Sequence, residues 1–195
     1  MTTGAPPAAP TATMRGRIIE AAIETTTRDG WSAVTMGRLA EQVGVSRQTV
    51  YNEVGSKPAL AEAVVAHELE GFLSLVETAF DAHPDHPVAA VEVASCDVLV
   101  RAQGNDLLRA IVSATHGGDN ELLPLLTTNS SALIDAATSI VSVRLSVAAP
   151  RLEAARLALV ADVIVRTVLS HVMQPSGSPQ RTAAGIAEAT RLLLA

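Results

Sequence analysis

The run Thr35-Met36-Gly37-Arg38-Leu39-Ala40-Glu41-Gln42-Val43-Gly44-Val45-Ser46-Arg47-Gln48-Thr49-Val50-Tyr51-Asn52-Glu53-Val54 decides the fold of this chain. Met36, Leu39, Ala40 and Val43 recur at i, i+3, i+4 and i+7, the spacing of one buried helical face. Thr35 stands before them as an N-cap, a hydroxyl placed to accept a free backbone N–H. Gly44 interrupts the pattern and can take the positive φ that a tight interhelical turn demands. Ser46 can cap a following helix, with Val45 and Val50 spaced as a hydrophobic staple across its start. Ala40 is small enough for two helices to cross there, and Val50 locks the second onto the first. Val50 and Val54 then face inward, which leaves Arg47, Gln48, Tyr51 and Asn52 on the opposite face. This is the spacing of a helix-turn-helix unit, whose second helix enters the DNA major groove. Arg can read guanine, Gln and Asn can read adenine, and Tyr reaches phosphate. A polar surface helix in an ordinary bundle is the rival account. It must attribute the caps, the turn glycine, the core spacing and the donor-rich face to coincidence.

Outward from this run, Ile18, Ile19, Ala22 and Ile23 form a helical stripe over about Thr13–Arg28, stopped by Asp29-Gly30. Downstream, Gly55-Ser56-Lys57-Pro58 opens a further helix, with Ser56 as cap and Pro58 in the first turn, where its missing N–H is harmless. Residues 1–13 hold three prolines and no Lys or Arg, so they read as a disordered tail rather than a signal peptide.

The residues Thr35-Met36, Leu39-Ala40, Val43-Gly44-Val45-Ser46 and Thr49-Val50-Tyr51, followed by Ser56-Lys57 and Leu60, resemble the DNA-binding domain of TetR/AcrR-type transcriptional regulators. The resemblance covers about residues 14–62. It implies that Thr35, Tyr51 and Lys57 contact phosphates and that Arg47, Gln48 and Thr49 occupy the base-reading stretch, beside Asn52. Lys57 is the only lysine in the chain. Asn52-Glu53-Val54-Gly55 departs from the aromatic-rich family pattern. Val54 fills the core with less volume than the usual Phe. Glu53 places a carboxylate near phosphate, where it is repelled; turning sideways toward Arg47 or Arg38, or rejecting some bases, are the two accounts of it.

The rest of the chain reads as helical throughout. Leu69, Phe72, Leu73, Val76 and Phe80 mark the buried stripe of a long helix over about Lys57–Ala82. Further helices are expected over about Pro87–Gln103, Asp106–His116, Glu121–Val147 with a kink at Pro124, Arg151–Met173, and Gln180 to the end. The fold class is therefore all-α, with about nine helices: a tail over 1–13, the helix-turn-helix domain over 14–58, and a ligand-binding and dimerisation domain over 59–195. The helix over Arg151–Met173 is apolar on more than one face, and it and the last helix carry the small residues Ala154, Ala155, Ala158, Ala161, Ala184 and Ala187. A second copy is the simplest cover for such faces, and the resemblance implies a homodimer through these helices.

Composition narrows the function. Hydrophobic residues make up 48% of the chain and aromatic ones 2%. The core is therefore aliphatic, and a pocket inside it suits an alkyl or acyl chain better than a flat or cationic drug. A hydrophobic, lipid-like effector is the expectation. Apolar lining is expected from Val76, Cys96, Leu99, Val100, Leu107, Ile111, Leu126, Leu133 and Val163. Polar residues set in apolar helices, Gln103, His116, Asn129, Thr167 and His171, are the candidates for polar contacts. Arg101 and Arg109 read as solvated faces, with receipt of a carboxylate at a pocket mouth as the alternative. Asp162 and Arg166 read as a helical pair. Residues 1–57 carry six basic and five acidic groups and the remainder eight and fifteen, so the net charge of −6 lies in the second part.

The single cysteine, Cys96, excludes an internal disulfide framework and fits reducing cytoplasm; it reads as a small core hydrophobe. His83-Pro84-Asp85-His86-Pro87 reads as a surface turn rather than a metal site. The charge-free stretches Leu122–Ile134 and Thr167–Gln180 are shorter than the roughly 18 residues of a membrane span, so no membrane partner is expected. There is no nucleophile–base arrangement, metal spacing or phosphate-cradling glycine loop, so no catalytic residue, metal or cofactor is expected. A ligand-responsive DNA-binding regulator on a palindromic operator, released as a repressor is released, is the leading reading. A helical lipid carrier or small enzyme of the same fold is the alternative.

Overall fold

The computed structural model describes residues 13–113, 122–127 and 130–195. Among them lie ten α-helices, one short 3-10 turn and no strand. Helix α1 (Met14–Asp29) opens at Thr13, whose Oγ1 accepts the Gly16 N–H at 3.1 Å, and it stops at Gly30. The turn Trp31–Ala33 buries Trp31 and leads into α2 (Met36–Val43) and α3 (Arg47–Val54). Helix α4 (Lys57–Ala82) is a continuous rod of 26 residues, about 39 Å long at about 1.5 Å per residue. A short turn through His83–His86 reverses the chain into α5 (Pro87–Gly104), and α6 (Asp106–Ser113) follows.

The single helix expected over Glu121–Val147 is two: α7 (Leu122–Leu126) and α8 (Ser131–Ala148). Local side-chain bonds explain the break. Thr127 Oγ1 donates to the Leu123 carbonyl at 2.9 Å and Ser130 Oγ donates to the Thr127 carbonyl at 2.7 Å, competing with the helical ladder. An 18-residue window within Leu122–Ala148 reaches a mean hydropathy of 1.4, enough to pass for a membrane span by length and composition. The longer helix there instead sets Ile134, Ala137, Val141 and Leu145 into the protein core. Helix α9 (Ala154–Met173) starts three residues later than expected, because Pro150 is followed by a turn closed by Leu152 N–H on the Ala149 carbonyl. Helix α10 (Pro179–Leu194) ends the fold, packed along α5 and beside α9.

Two apolar clusters hold these helices. The first joins Ile18, Ala22, Trp31, Leu39, Val50, Leu60 and Val64 to Leu107 and Ile111 of α6 and to Leu122 and Leu126 of α7. The three N-terminal helices thus share one core with the start of α4 and with α6 and α7. The second joins Phe80 and Val91 to Ile134, Val141 and Leu145 of α8, Leu157, Val160 and Ile164 of α9, and Ile186 of α10. Helix α4 belongs to both clusters.

Candidate functional site: nucleic-acid interface and ligand cavity

The helix-turn-helix is built from caps and one left-handed glycine. Thr35 Oγ1 accepts the Arg38 N–H at 3.2 Å and Ser46 Oγ accepts the Thr49 N–H at 3.0 Å. Between them Gly44 holds φ +76° and ψ +39°, with its N–H on the Ala40 carbonyl, a backbone state in which a Cβ costs about 1–2 kcal/mol. Val50 is fully buried and Val54 nearly so, which turns Arg47, Gln48, Tyr51 and Asn52 outward. These four side chains hold one another in i, i+4 pairs. Arg47 Nη2 donates to Tyr51 Oη at 3.3 Å with its guanidinium 5.5 Å from the ring centroid, and Gln48 Nε2 donates to Asn52 Oδ1 at 3.0 Å. Thr49, half-buried, keeps its hydroxyl 2.9 Å from Ser46 Oγ.

Lys57 opens α4 with its Nζ 5.4 Å from the Trp31 ring centroid. The buried tryptophan therefore orients the chain's only lysine, a role the sequence pattern did not signal. Arg15 and Arg17 tie α1 to the pair by donating to the carbonyls of Glu53 at 2.6 Å and Val43 at 2.9 Å. Glu53 does not meet either arginine expected for it: Arg38 pairs with Asp29, and Arg47 is engaged by Tyr51. The Arg38 guanidinium, ahead of Arg28, holds the Asp29 carboxyl below its ordinary range.

Between the two apolar clusters lies a cavity of about 130 Å³. The whole stripe Leu69, Phe72, Leu73, Val76 and Phe80 on α4 faces it. Most of that stripe is only half-buried, because its partner is a void rather than a packed helix. Leu107 and Ile111 of α6, Leu126 of α7 and Leu133 of α8, all expected as lining, also border it, and α9 adds Ile164, Val168, Leu169 and Val172. Glu68 and Ser95 are the polar side chains among the described lining residues.

Several expected lining residues lie elsewhere. His116 and Asn129 fall outside the described residues. Val100 is 48% exposed on the outer face of α5, and Cys96 sits half-buried off the cavity, its thiol pushed up by burial and then by Asp97 and Glu92. Leu99 and Gln103 border a separate depression near Pro175 and Thr182. Val163, Thr167 and His171 line a groove between α9 and α10. Thr167 Oγ1 donates to its own helix at Val163 O, 2.6 Å away, and His171 Nδ1 meets Ser176 Oγ at 3.2 Å. The reason is common to them. The chain has more apolar side chains than its interior requires, so polar groups on these helices turn outward or bond locally. Arg109 pairs with Asp106 on the surface, and Arg166 grips Asp162 at 2.8 and 2.9 Å.

Two family models match the chain. Residues 18–64 match "Bacterial regulatory proteins, tetR family". Residues 86–191, more than half of the chain, match "Bacterial Tetracyclin repressor, C-terminal domain". The chain is a member of the TetR family of bacterial transcriptional regulators. Among its relatives, the HTH-type transcriptional regulator AlkX of Mycobacterium tuberculosis is 31% identical over 165 residues, covering 83% of this chain and 75% of the relative. The crystal structure of the TetR family repressor AlkX from Dietzia sp., described as implicated in biodegradation of n-alkanes, superposes with a TM-score of 0.75 at 30% identity. That match covers 93% of this chain and 95% of the other. The repressor QsdR of R. erythropolis shares the fold, with a TM-score of 0.60 at 19% identity over 92% of this chain and 93% of its own. This TetR-family regulator therefore carries a DNA-binding helix-turn-helix on an all-α C-terminal domain, and the relatives named above are transcriptional regulators.

Proposed function

We propose that this protein is a homodimeric cytoplasmic repressor that holds a palindromic operator and lets go when an aliphatic, lipid-like molecule enters the α4–α9 cavity. The observation that carries the reading is the cavity wall: nearly all hydrocarbon, shared by α4, α6 and α7, the helices whose first turns or neighbours also form the core beneath the helix-turn-helix. An empty volume of about 130 Å³ is close to one that accepts a single benzene, about 150 Å³. A long chain therefore has to spread the wall to enter. Spreading it moves α4 and the α6–α7 segment, and with them the spacing of two α3 helices that must reach successive major grooves about 34–36 Å apart. By linkage the ligand binds the DNA-incompetent form more tightly, with a coupling of typically about 1–3 kcal/mol. The similarity to AlkX repressors, one of them connected with n-alkanes, supports the same chemistry.

The dimer face in this reading is the outer side of α9 and α10. Leu159 is 60% and Leu192 61% exposed, Val163 shares a groove with Gly185 and Ala189, and Ala154, Ala155, Ala158 and Ala184 also lie outward. Ala161 and Ala187 are instead buried within the chain.

Genomic DNA fragments captured on the purified protein, followed by footprinting on the most enriched one, test the proposal. A protected palindrome that is freed by aliphatic chains supports it. A folded dimer that enriches no fragment over bulk DNA at moderate salt refutes operator binding. Release by planar aromatic drugs but not by aliphatic chains refutes the effector class.

A further inference from the structure

The surface that the cavity shows to a ligand is almost wholly hydrocarbon, so a polar head group has no partner inside it. A head group has to lie beyond one of the cavity's edges. Two surface depressions share walls with the cavity, and they differ in character. The first lies beside α1 and meets the cavity at Glu68 and Leu107. Its charges are already matched. Glu68 Oε2 accepts from Asn105 Nδ2 at 2.7 Å and lies 3.9 Å from Arg101 Nη2, while Glu24 pairs with Arg28 at 3.3 Å. The Arg101 guanidinium is seated 5.1 Å from the Phe72 ring centroid, in the space left by Gly71, where a Cβ would stand 2.5 Å from Nη2. A chain leaving on that side passes a carboxylate that is already engaged.

The second depression lies where the ends of α5 and α9 meet the start of α10, and it joins the cavity at Leu108, Val172 and Met173. All three are apolar, so an alkyl chain passes between them without stripping water from a charge. Met173 is the last residue of α9, and its unbranched side chain adapts readily to a neighbour. Beyond it stand Gln103, Arg109, His171 and Thr182, with no carboxylate among the described lining residues. That departs from the rest of this part of the chain, since residues 58–195 carry eight basic groups and fifteen acidic ones. The Arg109 side chain is 64% exposed, and its partner Asp106 borders the other depression. An exposed pair of this kind contributes little, so Arg109 can exchange Asp106 for another carboxylate.

On the reading of the cavity as an aliphatic effector site, we infer that the effector is a single-chain amphiphile with a carboxylate head. Its chain lies in the void along the α4 stripe, and its head emerges between Leu108 and Met173 to meet Arg109. A carboxylate there gains a charge-assisted hydrogen bond. An alcohol gains a weaker one, and an ammonium meets a like charge. Arg109 belongs to α6, whose Leu107 and Ile111 share a core with the DNA-binding helices. The head group therefore grips a helix on which the DNA-binding unit rests.

Calorimetric titration of the full-length protein with decanoate, decan-1-ol and decylammonium, each below its aggregation limit and at one ionic strength, tests this. Decanoate is expected to bind about threefold or more tighter than decan-1-ol, the yield of one part-exposed charged contact, with decylammonium the weakest. Arg109→Gln should bring decanoate and decan-1-ol about level. Arg109→Glu should let decylammonium overtake decanoate while decan-1-ol stays within about twofold of its wild-type affinity, because the chain site is untouched. Circular dichroism of both variants reports whether they remain folded, and either one alone suffices. Decanoate no tighter than decan-1-ol in the wild type, or a decanoate preference unchanged in a folded Arg109 variant, overturns the inference while leaving an aliphatic effector standing. No binding of any of the three removes the aliphatic effector itself, and the inference with it.

Discussion

Gly44 shows how much a single residue carries in this fold. Its φ of +76° closes the turn between α2 and α3, and a side chain there has to be forced into the left-handed region. Gly44→Ala is expected to cost about 1–2 kcal/mol, read as a lowered urea midpoint with an unchanged slope. Arg47 and Tyr51 make the complementary case. Both are exposed and lean on each other, not on the core. Arg47→Ala and Tyr51→Ala should therefore leave thermal unfolding and ligand binding intact while each weakens operator binding by about 1–3 kcal/mol, roughly 5- to 150-fold, in an anisotropy titration. Unchanged DNA affinity in both variants would remove α3 from the interface. Cys96 tests chemistry rather than recognition. Burial raises its thiol above the ordinary value of 9.0, so less thiolate is present at neutral pH than in a free cysteine. Alkylation by iodoacetamide should be slower than for cysteine at pH 7.5 and should accelerate only in alkaline buffer; a rate equal to or above that of free cysteine would contradict this. The residue-level caps were legible in the sequence because they act within four positions of themselves. Glu53 was not: Arg38 is taken by Asp29 at the end of α1, a meeting of two helices, while Arg47 is taken by Tyr51 one turn along α3.

At the scale of the element, α4 matters most. Its stripe from Leu69 to Phe80 was readable as a buried face, but periodicity cannot distinguish a face packed on another helix from one that borders a void. Both require the same apolar spacing. The difference lies in what stands opposite, and here that is α6, α7, α8 and α9 held slightly apart. Ala137 on α8 faces the same space. Ala137→Leu adds methylene groups into an existing gap rather than into a packed core, so the usual overpacking penalty of about 1–3 kcal/mol should be absent. The expected outcome is a melting temperature unchanged or raised, intact DNA binding, and at least a tenfold loss of affinity for a long alkyl ligand in calorimetry. The break between α7 and α8 is likewise an element-scale result. Pro124 marked a weak point, but the hydroxyls of Thr127 and Ser130 turned a kink into an end.

For the whole molecule the outer face of α9 and α10 matters most. Helices α9 and α10 bury one side against α5 and α8 and leave Leu159, Val163 and Leu192 outside. Leu159→Glu places a charge on this face without touching the core, so the monomer should fold normally while the proposed dimer dissociates, as seen by analytical ultracentrifugation. Operator affinity should fall with it by well over an order of magnitude, because each half-site is then bound without the effective concentration that the second supplies. A Leu159→Glu variant that sediments as the wild-type dimer would place the interface elsewhere.

What the amino-acid sequence determined by itself is local in origin. Helix starts, the turn glycine, the outward-facing quartet on α3, the all-α class and the aliphatic character of the interior follow from capping, periodicity and composition, which act over a few residues or over the chain as a whole. Tertiary structure alone decided where the void lies, that Trp31 positions Lys57, that Gly71 makes room for the Arg101 guanidinium, and that Gln103, Thr167 and His171 lie off the cavity. These are meetings between residues tens of positions apart. The backbone angles at which helices cross settle such contacts, and neither the side chains' polarity nor their spacing along one helix encodes those angles.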